Sequence, residues 1–196
     1  MLCAHGFKSL RFSFIFPGHK FNILLFENDK IKLRQLEPED LELLYRWEND
    51  PTLWAVGNTR QPYSRYTLKQ YILQGDKDIF ETHQLRLMIE CKETRQTVGT
   101  VDLFDFDVFH SRVALGLFVD TQYQGKGYAS HALKLTEEYV FNFLKINQLY
   151  CHISEKNTAS KSMLEKEGYE VHGILKNWIR VGEEYENIIV FQRFRI

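Results

Sequence analysis

A mixed α/β fold, a mostly antiparallel twisted sheet with helices on its faces, is predicted by three observations in the 196-residue sequence. Strand-like apolar runs recur at "IKLRQL" (31–36), "LRLMIEC" (85–91), "TVGTVDLFDF" (97–106), "RVALGLFV" (112–119) and "QLYCHIS" (148–154). Segments with apolar residues at helical spacing lie between them. The connections within 85–119 are short enough for an antiparallel meander. The expected order is β-α-α-β-β-β-α-β-α-β-β.

Each element has a local cause. Pro38-Glu39-Asp40 opens the first helix, since proline suits the first turn and acids suit its positive end. Leu41, Leu44 and Tyr45 form its apolar stripe, and Asn49-Asp50-Pro51 ends it. Ser64 is the N-cap of a second helix carrying Leu68, Tyr71 and Ile72. A long helix after Gly127 places Ala129, Ala132, Leu133, Val140, Phe143 and Leu144 on one stripe toward the sheet. A further helix near 159–167 ends at Gly168, and strand segments around 170–176 and 187–194 close the chain. The folded pattern begins at Ile31, so the expected organisation is an extension over 1–30 and a single domain over 31–196. The extension reads as an appended strand or a loosely held arm. It is broken by Pro17 and Gly18 and lacks the apolar core of a signal peptide or a span.

Composition excludes several classes. Charge is balanced, 25 Lys+Arg against 26 Asp+Glu, with no basic block, which argues against a nucleic-acid binder. Cys3, Cys91 and Cys151 are odd in number and widely spaced, so reduced thiols in a cytoplasmic protein are expected rather than a disulfide framework. The histidines show no paired spacing, and no metal site is expected.

The chemistry concentrates at "VALGLFVDTQYQGKGYASHALKL" (113–135), where an apolar strand runs through two glycines and a lysine into a helix. The first amides of that helix lack intrahelical partners, and its dipole adds partial positive charge. Gly125 and Gly127 remove the side chains that would keep a phosphate away, leaving an anion cradle suited to a diphosphate. The spacing is neither G-x-x-x-x-G-K-S/T nor G-x-G-x-x-G, which excludes a nucleotide-hydrolysing P-loop and a dinucleotide fold.

Gln122, Gly125 and Gly127 match Q/R-x-x-G-x-G/A, with Ala129 where the helix packs closely. About thirty residues on, "EKNTASKSMLEKEGYEVHGIL" supplies Asn157, Ser160, Glu165-Lys166 and Gly168-Tyr169. In that order the two segments resemble the GNAT acetyltransferases, from Ile31 to the C-terminus. The opening "LRQLEPEDLELLYRWENDP" and the closing "GILKNWIRVGEEYENIIVFQRF" are similar to the branch with ribosomal-protein N-terminal and spermidine acetyltransferases.

The resemblance implies acetyl transfer from acetyl-coenzyme A (acetyl-CoA) to a primary amine. It implies that the amides of Gln124, Gly125, Lys126, Gly127, Tyr128 and Ala129 hold the diphosphate. The backbone of Leu117, Phe118 and Val119 would pair with the pantetheine arm where this strand and 148–154 splay apart. Asn157 would bind the cofactor's amide portion, and it also reads as a helix N-cap. Lys126 reads as a phosphate contact or as a solvated loop lysine. Seven residues after the Asn, where many members carry tyrosine, stands Leu164, which cannot donate a proton. His152 is the candidate base, on the strand beside the gap, against the plainer reading of a structural histidine. Asp102 and Asp105 are weaker candidates for holding a cationic acceptor, and alternation puts them on opposite faces unless a bulge intervenes.

The acceptor stays open between a small amine, a polyamine and a protein N-terminus. Polyamine relatives carry acids between the first two helices, where this chain has Gly57-Asn58-Thr59-Arg60-Gln61. A non-catalytic acyl-CoA-binding module is the alternative reading. No nucleic-acid or membrane partner is expected, and a homo-oligomer is compatible with the sequence.

Overall fold

Ile31 and Leu33 point into the core and Lys32 out of it, so the alternation at the start of the pattern makes β1 (Ile31–Arg34) a half-buried strand. The computed structural model of the chain describes residues 25–57, 59–75 and 77–196. The extension's first 24 residues lie outside these, and with them the appended-strand or loose-arm reading and Cys3. Its last six residues are held: Phe26 packs on Tyr139 with ring centroids 5.0 Å apart, and its carbonyl accepts from Leu33 N at 2.7 Å.

After β1, Pro38–Asp40 makes a 3-10 turn that leads into α1 (Leu41–Glu48). The Arg34 guanidinium grips buried Asp40 through both Nη atoms, at 2.7 and 2.8 Å, tying the strand to this turn. α1 ends where Asn49-Asp50 predicts. Pro51 nevertheless opens a further helix, α2 (Pro51–Gly57), because proline is as well suited to a first helical turn as to a break. α3 (Arg65–Leu73) is capped by Ser64, whose Oγ accepts from Thr67 N at 3.0 Å. An unpredicted single-turn helix, α4 (Ile79–Thr82), is capped by Asp78.

The strands β2 (Leu85–Cys91), β3 (Thr97–Asp107), β4 (Arg112–Val119) and β5 (Gln148–Ser154) fall where the alternation puts them. β6 (Glu170–Val181) and β7 (Glu184–Phe194) are longer than read and form a hairpin turned at Gly182. One seven-stranded sheet has the order β1-β2-β3-β4-β5-β7-β6, and β4–β5 is its single parallel pair among the described residues.

α5 (Tyr128–Glu137) and α6 (Thr158–Lys166) cover one face, over the main core of Val101, Val113, Leu133, Leu149, Leu164 and Phe191. α1 and α3 cover part of the other face with Leu44, Trp47, Leu68 and Ile72 against Met88 and Phe118. The helix after the cradle departs from its expected stripe. Residues Glu138–Phe143 form a π turn, with Leu144 N reaching back to Tyr139 O at 2.9 Å. The wider turn rotates the end of the helix, so Phe141 is buried and Phe143 is 58% exposed instead of core-facing.

Candidate functional site

The site is built at a place where the sheet comes apart. β4 and β5 pair only at Arg112↔Gln148, Val113↔Leu149 and Ala114↔Tyr150. Beyond Ala114, β4 stays registered with β3 as far as Val119 and β5 with β7 as far as Ser154. Each side is thus held by its outer neighbour, and a slot opens between them toward their C-terminal ends. Beyond Ala114 the slot side of β4 has no ladder partner among the described residues, and apart from Val119 O its backbone groups are left for a ligand.

At the open end β4 delivers the chain into the glycine loop. Asp120 fixes this corner, accepting from the buried Trp47 indole at 2.8 Å and from Gln122 N at 3.3 Å in the turn Thr121–Tyr123. Desolvation pushes its carboxyl up, but the Trp47 and Gln122 bonds and nearby Arg46 outweigh this and hold it below its ordinary value. Gln124 Nε2 closes the loop by donating to Val119 O at 3.0 Å.

Gly125 and Gly127 take φ of 72° and 80°, left-handed values that a side chain disfavours, and Gly127 is the N-cap of α5 with no side-chain cap bond. A Cβ at Gly125 would meet nothing within 4 Å, so the space in front of the loop is open. The Gly125 side of the loop is therefore open, and the first-turn amides of α5, without intrahelical partners, stand next to it, the donor set a diphosphate requires. Lys126 Nζ rests over the Tyr123 ring at 5.3 Å.

Asn157 stands past the end of β5. It is the N-cap of α6, its Oδ1 accepting from Ser160 N at 3.1 Å, so the capping reading holds and Nδ2 keeps its donors for a ligand. Leu164 is a core residue, 2% exposed, with no polar role.

The other face of the slot carries the remaining candidates. Leu149 and Cys151 turn into the core, so Tyr150 and His152 turn away from it, with ring centroids 5.6 Å apart. Register then sorts the two aspartates. Arg86, Asp102 and Gly116 lie opposite one another across β2, β3 and β4. Extending the β4–β5 register by two residues puts His152 across the slot from Gly116. Asp102 and His152 therefore flank the slot in one row on one face, separated by a glycine with no side chain. Asp105 is not with them. A bulge does intervene, between Phe104 and Asp107, with Asp105 at φ 49° on its exposed crest.

Asp102 is not a lone carboxylate. Arg86 Nε meets its Oδ1 at 2.5 Å, Thr100 Oγ1 donates to its Oδ2 at 3.3 Å, and Arg86 Nη1 bonds Glu48. Burial works against the Arg86 charge, yet Asp102 and Glu48 hold the guanidinium pKa above its ordinary value. Sequence reasoning missed Arg86 and with it the pairing of Glu48 to Asp102 through one guanidinium. A charged residue near the start of the mostly apolar β2 run is the signal that could have found Arg86.

Cys91 and Cys151 are free and buried. Among the described residues no group of His, Cys, Asp and Glu is placed to hold a metal ion, and no helix is long and apolar enough to cross a membrane.

The same chain matches known proteins. Residues 30–170 match the acetyltransferase (GNAT) domain model. Spermidine N(1)-acetyltransferase of Escherichia coli (strain K12) is 28% identical over 159 residues, 81% of this chain and 83% of that protein. Among solved structures, spermidine N-acetyltransferase from Vibrio cholerae in complex with CoA and spermine superposes with a TM-score of 0.76 at 21% identity, covering 86% of this chain and 97% of that one. A dodecameric structure of that enzyme from Vibrio cholerae superposes with a TM-score of 0.70 at 20% identity, covering 86% and 95%.

Proposed function

The chain belongs to the GNAT acetyltransferase family, and from that premise we propose that it transfers the acetyl group of acetyl-CoA to a primary amine of a cationic acceptor, spermidine-like amines first. The observation that carries this is the coincidence of the β4–β5 slot with the open glycine cradle at the same end of the sheet.

In this reading the amides from Gln124 to Ala129 bind the diphosphate, and Leu117, Phe118 and Val119 pair with the pantetheine arm as an added strand would. Asn157 Nδ2 donates to the arm's amide portion while Oδ1 goes on capping α6. A slot-facing amide of β4 stabilises the oxyanion formed as the amine nitrogen attacks the thioester carbon. His152 accepts the proton the amine loses. The new C–N bond replaces the C–S bond, and the sulfur leaves as thiolate. A thiol pKa of about 8.5 makes that departure feasible without the acid that Leu164 cannot supply.

Asp102 and Glu48 share one cation, Arg86, so their cluster retains one negative charge to attract an acceptor ammonium on the His152 face. Asp105, on its bulge, is left as an outlying carboxylate for the far end of a long acceptor. The sheet's continuity from β1 through β6 supports one domain over 31–196, beyond the family match at residue 170. Buried free thiols support a reducing, cytoplasmic setting.

Exposed Val171, Ile174 and Trp178 on β6 favour self-association, as the relative's dodecamer also does. A monomeric mass by light scattering at micromolar concentration would end that part of the proposal.

The function itself is tested by steady-state thiol release from acetyl-CoA with spermidine, spermine, small monoamines and peptides with free N-termini. Turnover fastest with the polyamines is expected. Cofactor binding without turnover on any amine would leave an acyl-CoA-binding module instead.

A further inference from the structure

The turn ahead of β1 is built onto the cradle. Asn28 organises it: Oδ1 accepts from Lys30 N at 2.9 Å and from Ile31 N at 3.0 Å, and Nδ2 lies 3.2 Å from His131 Nδ1 in the first turn of α5. The backbone adds Asn28 N to Ile31 O at 3.0 Å and a bridge between Glu27 and Lys32. Lys30 is thereby aimed across the N-terminus of α5. Its Nζ donates to Lys126 O at 2.5 Å, sits 5.3 Å from the Tyr128 ring centroid, and lies 3.7 Å from where a Cβ on Gly127 would be.

Two positive features therefore meet at one spot, the helix terminus and the Lys30 ammonium, and the same loop carries a third, the Lys126 ammonium over Tyr123. What the two ammonium groups touch is neutral, a carbonyl and aromatic faces, and no carboxylate forms an ion pair with either among the described residues. Like charges gathered without counter-charge repel, and a multivalent anion relieves that repulsion. The family match starts at residue 30, so the turn that aims this lysine lies almost wholly ahead of it.

We propose that Lys30 is a phosphate-binding residue of the acetyl-CoA site, an ammonium supplied from the turn before β1 to the diphosphate at the N-terminus of α5. This rests on the acetyl-CoA reading above and adds a contact that neither the glycine loop nor Asn157 provides.

Calorimetric titration of the full chain with CoA and with dephospho-CoA tests it, using Lys30→Met, Lys30→Gln and, two residues on, Lys32→Met. The wild type is expected to bind both ligands. Lys30→Met and Lys30→Gln should each weaken both by about tenfold, whereas Lys32→Met should leave them unchanged. The loss should shrink as salt rises from about 0.05 M to about 0.5 M, because an ion pair is screened and a tether to a neutral carbonyl is not. Wild-type affinity in Lys30→Gln, which keeps a donor without the charge, or a salt-independent loss overturns the proposal and leaves Lys30 a tether for the loop. A loss seen with CoA but not with dephospho-CoA overturns the diphosphate assignment. If the wild type itself gives no heat, the acetyl-CoA reading fails, an outcome distinct from any of these.

Discussion

Gly125 is the residue on which the cradle depends most directly. Nothing occupies the space in front of it, so Gly125→Glu adds no clash. The substitution costs about 1–2 kcal/mol for a non-glycine residue at φ 72°. It also places a carboxylate at the proposed diphosphate site. Titration with acetyl-CoA should show no binding by this variant, while its circular dichroism stays that of the wild type. Retained affinity would refute the cradle.

His152 carries the catalytic assignment. Its ring is exposed beside Tyr150 and has no carboxylate partner among the described residues, so its replacement should leave the fold alone. His152→Ala should lower kcat by about 100-fold near neutral pH, the usual range for losing a general base. Full turnover across pH 6–9 would return the histidine to a structural role. How much of this was legible depended on the kind of residue. The glycines could be read because their requirement is backbone geometry written into a short motif. The pairing of Asp102 with His152 could not, because it depends on a register between strands far apart in the chain and on a bulge at Asp105 that alternation does not announce.

At the scale of elements, the corner between β4 and α5 is fixed by a helix on the opposite face. α1 reaches it from the Trp47 indole, which donates to Asp120, and from Arg46, whose Nη2 lies 3.4 Å from the same carboxylate oxygen. Asp120→Ala strands that buried N–H and uncaps the turn at 121–123, which should cost about 1–3 kcal/mol in denaturant unfolding and weaken acetyl-CoA binding as the loop loosens. The pH dependence has a definite sign. The folded-state pKa of Asp120 lies below its unfolded value of 3.8, so its contribution is fully present above that value and is lost as pH falls through the depressed one. The stability difference between wild type and Asp120→Ala should therefore hold at neutral pH and shrink below about pH 4. A difference that grew on acidification would contradict the assignment. The positions of β2 to β5 were read almost to the residue because alternation is a strong local signal. The π turn at Glu138–Phe143 was not, since no side chain encodes the single extra residue that moves Phe143 outward.

For the whole molecule, the order β1-β2-β3-β4-β5-β7-β6 makes the chain two antiparallel blocks joined by one short parallel seam and by the core beneath α5 and α6. Family membership was readable from the two motifs in order. The slot was readable only through that resemblance, because nothing in the composition of β4 or β5 says that their pairing stops after three residues.

Under the proposed reading, that brief seam makes the protein an unfinished sheet whose missing strand is its own reactant. Occupying the slot would knit the two blocks together, so rigidity would rise with the supply of activated acetyl groups and fall when they run out. A starved cell would then hold a looser, more perishable enzyme than a fed one, with resistance to unfolding set by the metabolite it consumes.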